Sequence, residues 1–537
     1  MSEETQEEVV PENVPEEAPA SDGMATEQKS PHKGFFGKVD NWFGITKSGS
    51  NFKTEIVAGL TTFMAMVYIL IVNPSIFTSS IMGEQIIGDV TFQGMYIATA
   101  LGAIVGTMLM AFLAKMPLAQ ASGMGVNAFV VFSLVLGGGL TYANAMVFTL
   151  LDGLVFIILT ATGLRKYIFK AIPDEVRKAI NVGLGLFIAF IGLQNAGVIV
   201  GDSSTLVKLT SFNVLNLSKS LSFFVTYNNG TVGGMLPAIV ALLGVIAIAV
   251  LVKWKVKGAI LWGILGSTVL YYVLLGFGCL AGGQLLDDGA LTNGLACKEI
   301  FNNISFENPF LAFKHWGTES AGKVFYEGFN FSHYLEKNSA GSLVVLLITS
   351  ALSLCMLDMF DTLGTLYGAC SKGGLLDKEG NPLNMNRCMM ADAIATTTGA
   401  IFGTSTVTTF VESSAGVAAG GKTGFTALVT GLCFLVAMFL SPIAQLIPSA
   451  ATATALIWVG VLMMSSVTNI EWTDPAVALP AFLTIAVMAF GYEISYGIGI
   501  GIISSVIVRI CTGKIKSISI VTWIIAAFFL ATFILTH

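Results

Sequence analysis

The chain has 537 residues, of which 54% are hydrophobic and only 11% charged. A soluble domain carries about 25% charged residues, so no water-facing boundary can be built around this much apolar surface, and the solvent must be lipid. The formal net charge of −6 points to no polyanionic partner: the acids crowd into one tail, and Lys and Arg sit in short loops rather than on one face, which excludes a nucleic-acid surface.

That tail is residues 1–33, with Glu3, Glu4, Glu7, Glu8, Glu12, Glu16, Glu17, Asp22 and Glu27. It cannot bury a core and is expected to be disordered in the cytoplasm. It lacks a basic start followed by an apolar core, so it does not read as a cleavable signal peptide. Residues 34–54 read as an interfacial segment, in which 34–45, GFFGKVDNWFGI, is amphipathic. A membrane helix takes about 20 apolar residues. Such stretches fall near 55–73, 95–115, 118–136, 143–163, 178–199, 233–252 and 258–277, a first set of seven over 55–277. A polar segment, 278–340, follows as an extracellular loop. A second set over 341–511 falls near 342–369, 388–403, 405–419, 424–446, 451–468, 475–490 and 494–511. Within the apolar 512–537, residues 518–535 are either an extra span or an interfacial helix.

Loop charges fix the expected orientation. Lys33, Lys38, Lys47 and Lys53 precede the first span; Arg165, Lys166, Lys170, Arg177 and Lys178 follow the fourth. Lys253, Lys255 and Lys257 follow the sixth, Lys372, Lys378 and Arg387 the eighth, and Arg509, Lys514 and Lys516 the fourteenth. With a cytoplasmic N-terminus every cluster lies inside, as the positive-inside rule requires. Leu236-Pro237-Ala238 and Leu479-Pro480-Ala481 begin a faint internal repeat. Seven is odd, so a repeat of seven must insert upside down, which puts a binding site near the midplane among broken helices.

Ionisable groups at membrane depth are costly and usually functional. Asp358 and Asp361 lie in SLCMLDMFDTLGTLYG, on one helix face by their spacing. Two close carboxylates repel, which suits reversible proton uptake. Glu412 lies in GTSTVTTFVESSAGVAAGG, where β-branched Thr404–Val411 precedes Gly416, Gly420 and Gly421. This is a poor helix and a good short strand entering a half-helix, a form that survives at membrane depth only when buried or lining a cavity. Asn127, in ASGMGVNAFVVF, is its counterpart in the first half, an amide that both donates and accepts. Phe129, Phe360 and Phe410 flank these groups and can stack on a flat ring, although with 37 Phe in the chain packing is the readier role for any single one.

Three further features are read as silent. GVAAGGKT at 416–423 fits the phosphate-loop pattern, but the helix that follows is a membrane span and leaves no room for a nucleotide domain. The seven Cys follow no metal spacing, and a Cys279–Cys297 disulfide is left open. His32, His315, His333 and His537 lie in tails or the large loop, which disfavours a haem, a metal or a His relay in the membrane. No HExxH or GxSxG is present, so no catalytic set is visible and a transporter is expected rather than an enzyme.

FKTEIVAGLTTFMAMVYILIVNP, SGMGVNAF, MFDTLGTLYG and GTSTVTTFVESSAGVAAGGKTG resemble the AzgA-like branch of the nucleobase permeases, within the nucleobase–ascorbate transporter superfamily, from about residue 40 to 511. The resemblance implies uptake of hypoxanthine, guanine or adenine across the cell membrane, usually with protons. It implies an all-α polytopic fold like uracil permease: fourteen spans in two inverted sevens, a core domain of spans 1–4 and 8–11, a gate domain of the rest, and short strands in spans 3 and 10. It implies substrate contacts at Asn127, Asp358 and Glu412, with Asp361 serving more in coupling. No cofactor is expected beyond the coupling ion, H+ or Na+, and a homodimer is left open. The 278–340 segment is longer than the family leads one to expect, and the acidic tail is extra. An anion transporter of related fold and an uncoupled channel are the competing readings.

Overall fold

The structure is a computed structural model; it describes residues 34–535 except 79, 82–83, 86, 164–171, 203, 211, 213–224, 229–230, 279–290 and 303–307. The acidic tail, Arg165, Lys166, Lys170 and Cys279, with its pairing to Cys297, lie outside the described residues.

A surface helix α1 (Phe35–Phe43) leads to α2 (Phe52–Met66) and α3 (Ile69–Phe77). Asn51 caps α2 by accepting from Thr54 N at 2.9 Å. The first expected span is therefore two helices, broken at Val67–Tyr68. Then come α4 (Phe92–Leu109), strand β1 (Gln120–Ser122), the short α5 (Met124–Ala128), which runs on as a wider π-helix to Gly137, and α6 (Tyr142–Thr162). Helices α7 (Asp174–Asn195), α8 (Met235–Lys253) and α9 (Ala259–Gly278) complete the first half. The second half has α10 (Pro309–Glu319), α11 (Ala340–Gly373), α12 (Met385–Phe402), strand β2 (Val407–Thr409), α13 (Ser413–Ala418), α14 (Gly424–Ala437), α15 (Ser449–Met464), α16 (Pro475–Phe490), α17 (Ile494–Cys511) and α18 (Ile520–Leu535). Among the described residues, ten helical segments are long and apolar enough to cross a membrane. The all-α polytopic architecture is the one the sequence leads one to expect.

β1 and β2 pair antiparallel, Gln120 with Thr409, Ala121 with Thr408 and Ser122 with Val407. Gly123 N donates to Thr406 O at 2.9 Å and Phe410 N to Ala119 O at 3.1 Å, so the ladder continues into both strand–helix turns. The reason is local. Val407, Thr408 and Thr409 are β-branched and favour extended backbone, and in an apolar interior each strand can satisfy its polar groups only on the other.

The closest helix packing falls into two groups. One joins α2, α4, α6, α12, α13 and α14; the other joins α7, α8, α9, α15, α16 and α17. Helix α18 packs on α17 and α11. The described part of the polar 278–340 segment is ordered into helices. There α10 lies on α4, Glu319 accepts from Thr91 N at 2.8 Å, and Trp316 Nε1 donates to Phe402 O at 2.9 Å.

Candidate functional site

Three broken elements meet at the strand pair: the α2–α3 turn, the β1–α5 turn and the β2–α13 turn. Helix α11 runs past them. Asp361 Oδ2 accepts from Thr408 Oγ1 at 3.3 Å. Gly123 sits against both: a Cβ there would lie 3.2 Å from Thr408 Cγ2 and 3.7 Å from Asp361 Oδ2, so a larger residue would crowd the turn. Glu412 opens α13, and its Oε1 accepts from the Tyr68 hydroxyl at 2.6 Å. Asp361 and Glu412 are both partly exposed. One turn further along α11, a Cβ added at Gly364 would meet nothing within 4 Å, and neither would one at Gly368. This leaves open space beside the helix from Asp361 toward its C-terminal end.

Asp358 faces elsewhere. It is completely buried; Oδ2 accepts from Thr396 Oγ1 at 3.4 Å, and Oδ1 has no partner. Its acidic neighbours are Asp392, Asp152 and, one turn along the same helix, Asp361. Asp392 accepts from Gln120 Nε2 at 2.9 Å, Thr362 Oγ1 at 2.8 Å and Thr409 Oγ1 at 3.3 Å. Asp152 accepts from Thr406 Oγ1 at 3.4 Å and leaves Oδ1 unpartnered. Asp358 and Asp361 stay neighbours on α11, as their spacing leads one to expect, but their hydrogen bonds differ: Asp361 meets Thr408 of the strand β2, and Asp358 meets Thr396 of α12 beside Asp392 and Asp152.

Asn127 is fully buried; its Oδ1 accepts from Ser405 Oγ, and Nδ2 has no partner. Phe129 is wholly enclosed in the core, and Phe360 and Phe410 are buried too. Three contributors were not singled out from sequence. Asp152 and Asp392 are lone acids within apolar helices, a signal that was legible. Tyr68 carried none, because a Tyr in a span is ordinarily packing.

The phosphate-loop look-alike is occupied from within. Glu55, fully buried, accepts from Lys422 N at 3.0 Å, Thr423 N at 3.3 Å, Thr423 Oγ1 at 2.8 Å and Thr426 Oγ1 at 2.6 Å. A carboxylate of the chain itself takes the N-terminus of α14, where a phosphate would otherwise bind.

Known proteins bear on this geometry. The guanine/hypoxanthine permease PbuO of Bacillus subtilis is 36% identical over 498 residues, covering 92% of this chain and 100% of that protein. The adenine permease AdeP of Escherichia coli is 32% identical over 497 residues, covering 92% and 95%. Among solved structures, the transmembrane domain of a cyanobacterium bicarbonate transporter, BicA, superposes with a TM-score of 0.55 at 16% identity, covering 83% of this chain and 97% of that one, a likeness of fold. The model of the family described as "Permease family" matches residues 53–500, and the chain belongs to that family: it is a multi-pass membrane transporter and not an enzyme.

Proposed function

We propose that the chain imports purine nucleobases, namely hypoxanthine, guanine and adenine, by proton symport with alternating access. The observation that carries this reading is the acceptor-rich group of Asp361, Glu412 and Thr408 at the strand crossing. Among the described residues, none of its carboxylates forms an ion pair with Lys, Arg or His. Neutral purines bring N–H donors, which carboxylates accept. An anion would meet like charge, so the bicarbonate named for the structural neighbour is not carried over. The names of the relatives support the substrate class.

Glu412 and Asp361 receive the purine N–H groups, and Asn127, whose Oδ1 is held by Ser405 while Nδ2 has no partner, orients the turn opposite. Phe360 and Phe410, beside Asp361 and Glu412 in the chain, wall the site, and Phe129 is enclosed in the core. Asp358, with Asp392 and Asp152, holds the coupling proton, for which Asp358 Oδ1 and Asp152 Oδ1, neither with a hydrogen-bond partner, are the open positions. This exchanges the roles that family resemblance gives Asp358 and Asp361, and it rests on the directions of their side chains. The positive loop clusters support a cytoplasmic N-terminus.

Reconstituted vesicles test the function. Labelled hypoxanthine, guanine and adenine should accumulate under an inside-alkaline gradient, collapse with a protonophore and persist when Na+ is replaced. Na+ dependence without a pH response removes the proton; no uptake of any purine removes the function.

A further inference from the structure

Tyr68 is the one neighbour that hydrogen-bonds to the Glu412 side chain among the described residues. Its ring is fully buried, and its hydroxyl donates to Glu412 Oε1 at 2.6 Å. The residue stands on the break of the first span, where the backbone tightens: Leu70 N donates to Val67 O at 3.1 Å and Ile71 N to Tyr68 O at 3.0 Å, both three residues back. Glu412 is held from the other side. One turn after it in α13, Gly416 lies so close to α2 that a Cβ would fall 2.0 Å from Thr62 Oγ1 and 2.6 Å from Ala58 O. Phenol and carboxylate are thus fixed by two separate backbone anchors, and the contact is built rather than incidental.

We propose that Tyr68 is a specificity-determining residue, which takes one lone pair of Glu412 Oε1, so that a substrate N–H arriving there shares its acceptor while one arriving at the other oxygen does not. The inference rests on the purine reading above and deepens it. A free carboxylate matches two parallel N–H donors, the bidentate arrangement that adds both energy and geometric selection. Guanine offers such a pair, N1–H beside the exocyclic amino group. Hypoxanthine offers N1–H with no amino group beside it. With Oε1 shared with the phenol, the second of guanine's paired donors meets a weaker acceptor, and the site treats the two bases more evenly than a bare carboxylate would.

Tyr68→Phe keeps the ring and removes only the hydroxyl. In reconstituted vesicles it should raise the ratio of the hypoxanthine KM to the guanine KM by about fivefold, the order of the net contribution of one ordinary hydrogen bond, since the shared bond of guanine is strengthened rather than made anew. A packing defect would change both KM values together, or lower only the maximal rate. Either result, or an unchanged ratio, overturns the proposal. Introducing Tyr68→Phe into Glu412→Gln should leave the ratio where Glu412→Gln alone puts it; a further shift there also overturns it, since Tyr68 would then act without the carboxylate. Should Tyr68→Phe not accumulate, competition of the two bases for the wild type decides: a guanine preference above tenfold contradicts an acceptor weakened by sharing. Failure of the wild type to take up either base is a separate result, which rejects the purine function itself.

Discussion

Asp358 and Asp361 are one turn apart on α11, yet one meets Thr396 and the other Thr408. Their amides should therefore behave differently. Asp358→Asn imitates a permanently protonated group in the buried cluster, and counterflow of purine should continue while accumulation against a pH gradient is lost. Asp361→Asn replaces an acceptor oxygen by a donor facing the substrate, and a mispaired buried donor costs about 1–3 kcal/mol, so apparent affinity should fall on the order of tenfold. Measuring counterflow and net uptake on both variants separates the roles; the opposite pattern restores the assignment that resemblance suggests. At this scale the sequence was partly legible. The acids in α11 and at Glu412 stood out because charge at membrane depth is rare. Their grouping did not, because it depends on where Thr396 and Asp392 of α12 and Asp152 of α6 are brought by packing, and no local spacing encodes that.

At the scale of elements, the strand in β2 was visible in the run of Thr and Val, and the glycine-rich turn after it marked the half-helix. The break at Tyr68 was not: FMAMVYILIVNP is continuous apolar sequence. A second joint lies between α16 and α17. Tyr492, in the left-handed region at φ 55, sits 6.0 Å from Phe132 and 5.5 Å from Phe187, ring centre to ring centre. Ile494 N donates to Ser133 Oγ at 3.3 Å. Beside this joint, Glu493 lies against Gly137, where a Cβ would strike its Oε1, and burial pushes its carboxyl from 4.5 up to about 8. The folded chain thus holds a proton there that the unfolded chain has already released. Stability from this group is complete below about pH 4.5, declines as pH rises and is gone above about pH 8. In detergent, thermal unfolding of the wild type followed from pH 5 to 9 should lose stability relative to Glu493→Gln across that window. Parallel curves would mean that the carboxyl titrates normally.

For the whole molecule, the proposed orientation rests on loop charge alone, and labelling can test it. In a background without the native cysteines, Tyr326→Cys, at 84% exposed, should react with an impermeant thiol reagent on intact cells. Glu379→Cys, in the loop between α11 and α12, should react only after permeabilisation. The reverse order would invert the topology. Nearly every expected span is met by a helix within a few residues of its reading, since apolar length is what the bilayer demands. What length could not foretell is the ordering of the 278–340 segment, where Thr91, Glu319, Trp316 and Phe402 meet across the chain rather than along it.

The ladder between β1 and β2 also sets a timetable. Gln120 and Thr409 are 289 residues apart, so a ribosome working at about 5–20 residues per second needs roughly 15–60 s to deliver the second strand after the first. Throughout that delay the first strand rests in the translocation machinery or the bilayer with its backbone groups unmatched. The first half is therefore expected to need protection during biogenesis until its complement arrives. Two separately encoded halves, divided in the 278–340 segment, should each be degraded when made alone and persist when made together, as pulse-chase labelling of the two fragments would record.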